Sequence, residues 1–179
     1  MKNLKPHQLK RYLIKMEKAQ IQILEADFKD EAHRAAIPYL LNEYAKDLLG
    51  FRKELDDTVL RNLVPGLEAF SSAMVLLAKA DETYVGMAIC FLGFSSFHAR
   101  GLLNIHDFLV LKEFRNRGIG KELLKKIESI AKRLNCCKVT LEVQEYNAPA
   151  RRLYHSFGFI DSFLDKEAGN QMFLTKTYH

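Results

Sequence analysis

Short apolar runs alternate along this chain with longer stretches whose apolar positions recur at helical spacing, a pattern that predicts a mixed α/β domain. Ile21-Gln22-Ile23-Leu24 reads as a first strand. Asp30 then stands where an N-cap is needed, ahead of a stripe through Ala36, Leu40, Tyr44 and Leu48 that Gly50 ends. A second helix is predicted over 53–63, stopped by Pro65-Gly66. Apolar runs at 74–78 and 84–92, divided by Asp81-Glu82, predict a hairpin, and a Ser, Gly and Phe-rich loop over 93–101 leads into a third run at 102–111. The clearest helix follows, with Leu123, Leu124, Ile127, Ile130, Ala131 and Leu134 on one stripe and the pairs Glu122–Lys126 and Glu128–Lys132 on the exposed face. A strand over 138–143, a short helix near 149–156 with Pro149 in its first turn, and a closing strand pair at 157–160 and 171–174 complete the pattern.

Composition narrows the class. With 179 residues, 48% of them hydrophobic, the chain can bury one core. No run reaches the length of a spanning helix, and the first residues lack a signal peptide's apolar centre, so the expectation is a soluble, cytoplasmic protein without a membrane span. Cys90, Cys136 and Cys137 form neither a disulfide framework nor zinc-ligand spacing, and no metal is expected.

The net charge of +5 is not spread over the chain. Lys2, Lys5, Lys10, Arg11, Lys15 and Lys18 face only Glu17 in the first 20 residues, which leaves the remainder balanced. A basic amphipathic arm over 1–19, striped by Leu9, Tyr12, Leu13 and Met16, therefore precedes a single domain over 20–179. The arm reads as a helix docked on its own domain or on the mate in a homodimer, with a membrane surface or other partner as the alternative. A neutral body argues against a nucleic-acid surface.

Arg115-Asn116-Arg117-Gly118-Ile119-Gly120 lies between the third apolar run and the clearest helix. Two glycines where a helix begins let backbone amides converge on an anion, and arginine forks match phosphate oxygens. Leu123 stands where a dinucleotide fingerprint needs its third glycine. A P-loop would need Gly at Arg115 and Ser or Thr at Glu122.

The stretch from Ile105-His106-Asp107-Phe108 through Gly118-Ile119-Gly120-Lys121 resembles the acetyl-CoA motif of the GNAT (GCN5-related) N-acetyltransferase superfamily. Leu141-Glu142-Val143, Asn147, Ala150, Leu153-Tyr154 and Phe157-Gly158-Phe159 resemble that family's following strand, helix and closing segment. The two blocks cover 102–160. The resemblance implies an acyl-CoA N-acyltransferase fold, a central mixed and mostly antiparallel sheet flanked by helices. It implies that Phe108, Leu109 and Val110 meet the pantetheine arm, that Arg115, Asn116, Arg117, Gly118, Ile119, Gly120 and Lys121 surround the pyrophosphate, and that Asn147, Ala150 and Tyr154 touch the cofactor. Leu111-Lys112 departs from the Asp-Pro common in relatives, in a loop where little effect is expected.

Acetyl transfer to an amine needs a neutral amine, a polarised carbonyl and a proton for the sulfur. Tyr154, at the position of the family's acid and with an ordinary pKa of about 10, suits a thiolate of similar basicity. Asp107, His106 and Glu142 are the candidate bases. His106 and Asp107 are neighbours on one strand, so only one faces the substrate unless a bulge re-aims them. Cys136 and Cys137 lie at the wrong end of their strand for a covalent route, which leaves direct attack in a ternary complex. The expected reaction is acetyl transfer from acetyl-CoA to a primary amine of a small molecule such as a polyamine, amino acid or aminoglycoside. The acceptor region is expected over 28–70 and 93–104. Peptide acetylation and a non-catalytic acyl-CoA-binding module are the alternatives, and the presence of both Tyr154 and Asp107 favours catalysis.

Overall fold

The computed structural model describes residues 20–47, 50, 52–160 and 176. The arm over 1–19 and the second half of the expected closing strand pair, 171–174, lie outside them. The chain divides into two units, Met1–Gln144 and Glu145–His179.

The first unit is a sheet of five strands in sequence order: β1 (Ile21–Glu25), β2 (Ala73–Ala80), β3 (Thr83–Ser95), β4 (Arg100–Val110) and β5 (Lys138–Leu141). The first four pair antiparallel and β5 joins β4 in parallel, the mixed and mostly antiparallel sheet that was expected. Helices α1 (Glu31–Lys46) and α2 (Asp57–Ala69) cover one face, where Ile37, Leu40, Val64 and Leu67 pack on Val75, Leu77, Met87, Ile89 and Leu109. Helix α3 (Ile119–Arg133) buries Ile119, Leu123, Leu124, Ile127 and Ile130. Glu25, on the face opposite Leu24 and Leu77, meets Lys126 and Arg133 of α3 at 3.0 and 3.4 Å, so α3 covers the other side. Among the described residues no helix is long and apolar enough to cross a membrane.

Asp30 caps α1 as expected, accepting from the amides of Ala32 and His33 at 2.7 and 3.2 Å. That helix ends at Lys46, short of the expected Gly50. The second helix corrects the sequence reading more deeply, because α2 begins at Asp57 and runs through Pro65 to Ala69. An interior proline costs roughly 3 kcal/mol. Burial of Val64 and Leu67 on either side of it supplies about 1.5–3 kcal/mol each, enough to carry the helix past.

The loop expected over 93–101 is mostly strand. Gly93 pairs with Leu102, Phe94 with Gly101 and Ser95 with Arg100, which shortens the connection to four residues. Glycines that read as loop signals here sit inside a regular ladder. Strand β5 stops at Leu141, two residues before its expected end.

In the second unit the described structure is helix α4 (Ala148–Ser156) and the turn after it. Phe157-Gly158-Phe159, expected to open a strand, closes the helix instead. Gly158 takes φ +83°, its amide donates to the His155 carbonyl at 3.0 Å, and the Phe159 amide donates to the Tyr154 carbonyl at 3.2 Å. This is a Schellman stop, in which glycine supplies the left-handed residue.

Candidate active site

The ladder between β3 and β4 slips by one residue in its middle. Ile89 opposes Asp107 but Cys90 opposes Ile105, so His106 is an extra residue on β4. The slip decides a matter that strand alternation left open. Asp107 shares a face with its partner Ile89 under α1 and α2, and His106 lies edge-on to Phe91 of the same face, with ring centres 5.6 Å apart at 76°. Both neighbours are thereby re-aimed toward one side of the sheet.

Their surroundings differ. His106 is exposed, whereas Asp107 is partly covered. Burial pushes the Asp107 carboxyl above its ordinary range, against the opposing pull of the His106 charge. Asp107 also acts on Tyr44 of α1, whose phenol is raised first by burial and next by that carboxylate. Behind the sheet, burial raises the Cys90 thiol to about 12, with Asp107 adding to the effect, which leaves that sulfur protonated and inert.

The bulge coincides with the end of the β4–β5 pairing. Parallel partners run from Leu102 and Lys138 to Ile105 and Leu141, and among the described residues no strand pairs with that edge of β4 farther on. The Leu111 amide donates to the Val85 carbonyl at 2.9 Å. Alternation along an antiparallel ladder then directs the backbone groups of Asp107 and Leu109 toward β3, and those of Phe108 and Val110 toward the open edge. Leu109 also has its side chain in the core, and the Val110 carbonyl, on the side of β4 away from β3, accepts from Arg115 at 2.9 Å.

The turn into α3 is built for an anion. Asn116 and Gly118 take φ of +61° and +81°. Gly118 is the N-cap and brings no side chain to the helix, whose first ladder bond runs from the Glu122 amide to the Gly118 carbonyl at 3.1 Å. The amides of Ile119, Gly120 and Lys121 stand ahead of that ladder, at the positive end of the helix. A Cβ built on Gly118 would meet nothing within 4 Å, so the turn is open in front. Arg117 stacks on Phe114 at 5.5 Å, and its Nη1 is buried without a hydrogen-bond partner. An orphaned guanidinium nitrogen beside a free helix terminus fits a phosphate group. Arg115 has other work. Its Nε donates to the Val110 carbonyl at 2.9 Å and its Nη2 to Asp47 at 2.7 Å, which ties the end of α1 to the end of β4.

Beside the bulge lies a cleft of about 740 Å³, walled by α2, Phe91 and His106. It occupies part of the expected acceptor region. Sequence reasoning missed Phe91, whose place against the His106 ring follows only from register. Glu142, a candidate base, was expected inside the strand over 138–143. It lies exposed beyond the end of β5, because the strand stops once its pairing with β4 is lost.

In the second unit, Asn147 caps α4, its Oδ1 accepting from the Ala150 amide at 3.2 Å. These two residues, both expected to touch a ligand, thus hold each other at the helix start. Tyr154 is buried, its ring 5.8 Å from Phe159 at a tilt of 59°. That contact is the apolar pairing which accompanies a Schellman stop, so Phe159 orients the Tyr154 ring.

Comparison with known proteins agrees with this geometry. The model of the acetyltransferase (GNAT) family matches residues 37–159. The chain belongs to the GNAT acetyltransferase family. It is therefore an enzyme of the N-acetyltransferase class, and the GNAT match spans the bulge, the open strand edge, the anion turn and α4. Among GNAT relatives, the uncharacterized N-acetyltransferase YhfO of Bacillus subtilis (strain 168) is 26% identical over 132 residues, covering 70% of this chain and 82% of its own. Thialysine N-epsilon-acetyltransferase of Bos taurus is 30% identical over 77 residues, and the chain spans less than half of it, 45%. The crystal structure of a possible acetyltransferase from Clostridium difficile 630 shares the fold with a TM-score of 0.71, at 24% identity over 89% of this chain and 99% of that one.

Proposed function

We propose that this enzyme moves the acetyl group of acetyl-CoA to the primary amine of a small molecule by direct attack. The observation that carries the reading is the β4 bulge, which brings His106 and Asp107 to the same helix-covered side of the sheet, with His106 lining the α2 cleft where the β4–β5 pairing ends. Acetyl-CoA supplies an activated thioester. Arg117 and the amides of Ile119, Gly120 and Lys121 hold its pyrophosphate, and Phe108 and Val110 hold the arm through their backbone groups. Asn116 and Gly118 shape that cradle by their left-handed backbone, and Arg115 braces it from behind.

His106 and Asp107 receive the acceptor amine. A carboxylate and an imidazole side by side can bind an ammonium group and take its proton, which frees the nitrogen lone pair. The amine nitrogen bonds to the acetyl carbon, the carbon–sulfur bond breaks, and the sulfur keeps that electron pair until Tyr154 returns a proton. The protonated Cys90 supports direct attack over an acetylated cysteine. Thiol release from acetyl-CoA, followed across a panel of primary amines, tests the reading. Amine-dependent release is expected, and background release with every amine and peptide would leave only an acyl-CoA-binding module.

A further inference from the structure

We infer that the cleft beside His106 selects an amine carried on an apolar or aromatic body and discriminates against polycations; this rests on the cleft being the acceptor site proposed above. At about 740 Å³ it is the size of a small-molecule site. Val59, Leu63, Leu67, Phe70 and Phe91 make up most of its walls, Thr58 and Asn62 add neutral polar groups beside His106, and the described residues lining it include no Asp, Glu, Lys or Arg. The charged residues of α2 are turned elsewhere. Asp57 and Arg61 line a separate hollow of about 370 Å³ against Pro38 and Tyr39, and Glu68 is paired with Arg34 at 3.3 Å.

A polyamine or aminoglycoside would bring several ammonium groups into this cleft and give up their hydration with no carboxylate on the walls to replace it. An aromatic body meets the opposite situation. Phe70, Phe91 and His106 form a continuous edge-to-face series, with centroid separations of 5.8 and 5.6 Å and interplanar angles of 81° and 76°, leading from the rim to the bulge. Phe70 and Val59 at the rim are 63% and 45% exposed, apolar surface that a bound ring would cover. An amine at the inner end of such a body arrives at His106, beside which Asp107 stands on β4.

The test compares 2-phenylethylamine with spermidine and an aminoglycoside on the full chain, by thiol release from acetyl-CoA and by calorimetric binding of each amine. The kcat/KM for 2-phenylethylamine should exceed that for spermidine at least ~10-fold, the scale on which apolar pockets discriminate. Phe70→Asp, and separately Val59→Asp, should raise its KM by about tenfold while leaving the KM for acetyl-CoA and the melting temperature near their original values. Preference for spermidine or the aminoglycoside, or an unchanged KM in both variants, would overturn the selectivity while leaving acetyl transfer standing. Absence of acetyl-CoA binding would instead bring down the acetyl-transfer reading. Calorimetry then decides the cleft alone: saturable 2-phenylethylamine binding that Phe70→Asp weakens about tenfold upholds it, and no binding overturns it and leaves the cleft to a peptide or to the chain itself.

Discussion

Asp47 holds Arg115 through a 2.7 Å ion pair that joins the last turn of α1 to the strand end beside the anion turn. The Arg115 guanidinium is two-thirds covered and also serves the Val110 carbonyl, so two charge-assisted bonds depend on it. Arg115→Ala should lower stability by about 1–2 kcal/mol, discounted for its partial exposure, and change CoA affinity less than threefold. Arg117→Ala should do the reverse, weakening CoA at least ~10-fold because an unpartnered nitrogen is lost, while stability gives up only the stacking on Phe114, about 0.5–1 kcal/mol. Urea midpoints and calorimetric CoA titrations separate the two. Equal loss of CoA affinity in both variants would contradict this division of labour.

Gly118 should be needed for both its backbone and its empty front. At φ +81° any L-residue is strained, by roughly 1–2 kcal/mol. Gly118→Trp also places an indole in the open space ahead of the α3 amides. The variant should keep its circular dichroism spectrum and lose CoA binding at least ~100-fold, the scale set by losing two or more charge-assisted hydrogen bonds. Retained affinity would remove the pyrophosphate from this turn.

Strands β1 to β4, α1, α3 and α4 were legible because each has an apolar run or face and most have a cap, turn or first-turn residue at one end, such as Asp30, Gly118 or Pro149. The misread elements were those where a strong local signal opposed a tertiary one. Pro65 is a breaker by propensity, and Gly93 and Gly101 look like loop residues, yet buried neighbours and paired strands override all three. The candidate site was partly legible for a similar reason. His106, Asp107 and Tyr154 are recognisable as residue types, but the bulge that turns His106 beside Asp107 is a relation between strands and leaves no mark in either one. Arg115 shows the converse, since nothing local announces its bonds to Asp47 and to the Val110 carbonyl.

Tyr154 as the proton donor makes a prediction about turnover and not about binding. Tyr154→Phe keeps the ring that meets Phe159 and removes only the hydroxyl. The expected result is a fall in kcat of at least ~100-fold with the KM for acetyl-CoA within about twofold, the signature of a lost general acid. Phe159→Ala leaves the hydroxyl but loosens its orientation, so a smaller fall in kcat is expected with the pH profile intact. Unchanged kcat in Tyr154→Phe would assign the proton to another source.

Asp107 links the proposed chemistry to stability. Burial raises its carboxyl in the folded chain above the ordinary 3.8, so over the interval between the two values the folded state keeps a proton that the unfolded state has released. Stability therefore falls as pH rises through that interval and stays lowered above it. Asp107→Asn removes the titration, so the variant should melt above the wild type at pH 7, and the difference should shrink as pH drops toward 3, where both states hold the proton. Acetyl transfer by the same variant should fall at least ~100-fold at pH 7. Melting curves from pH 3 to 8 check the sign, and a wild type that gains on the variant as pH rises would mean that the folded protein favours the charged carboxylate.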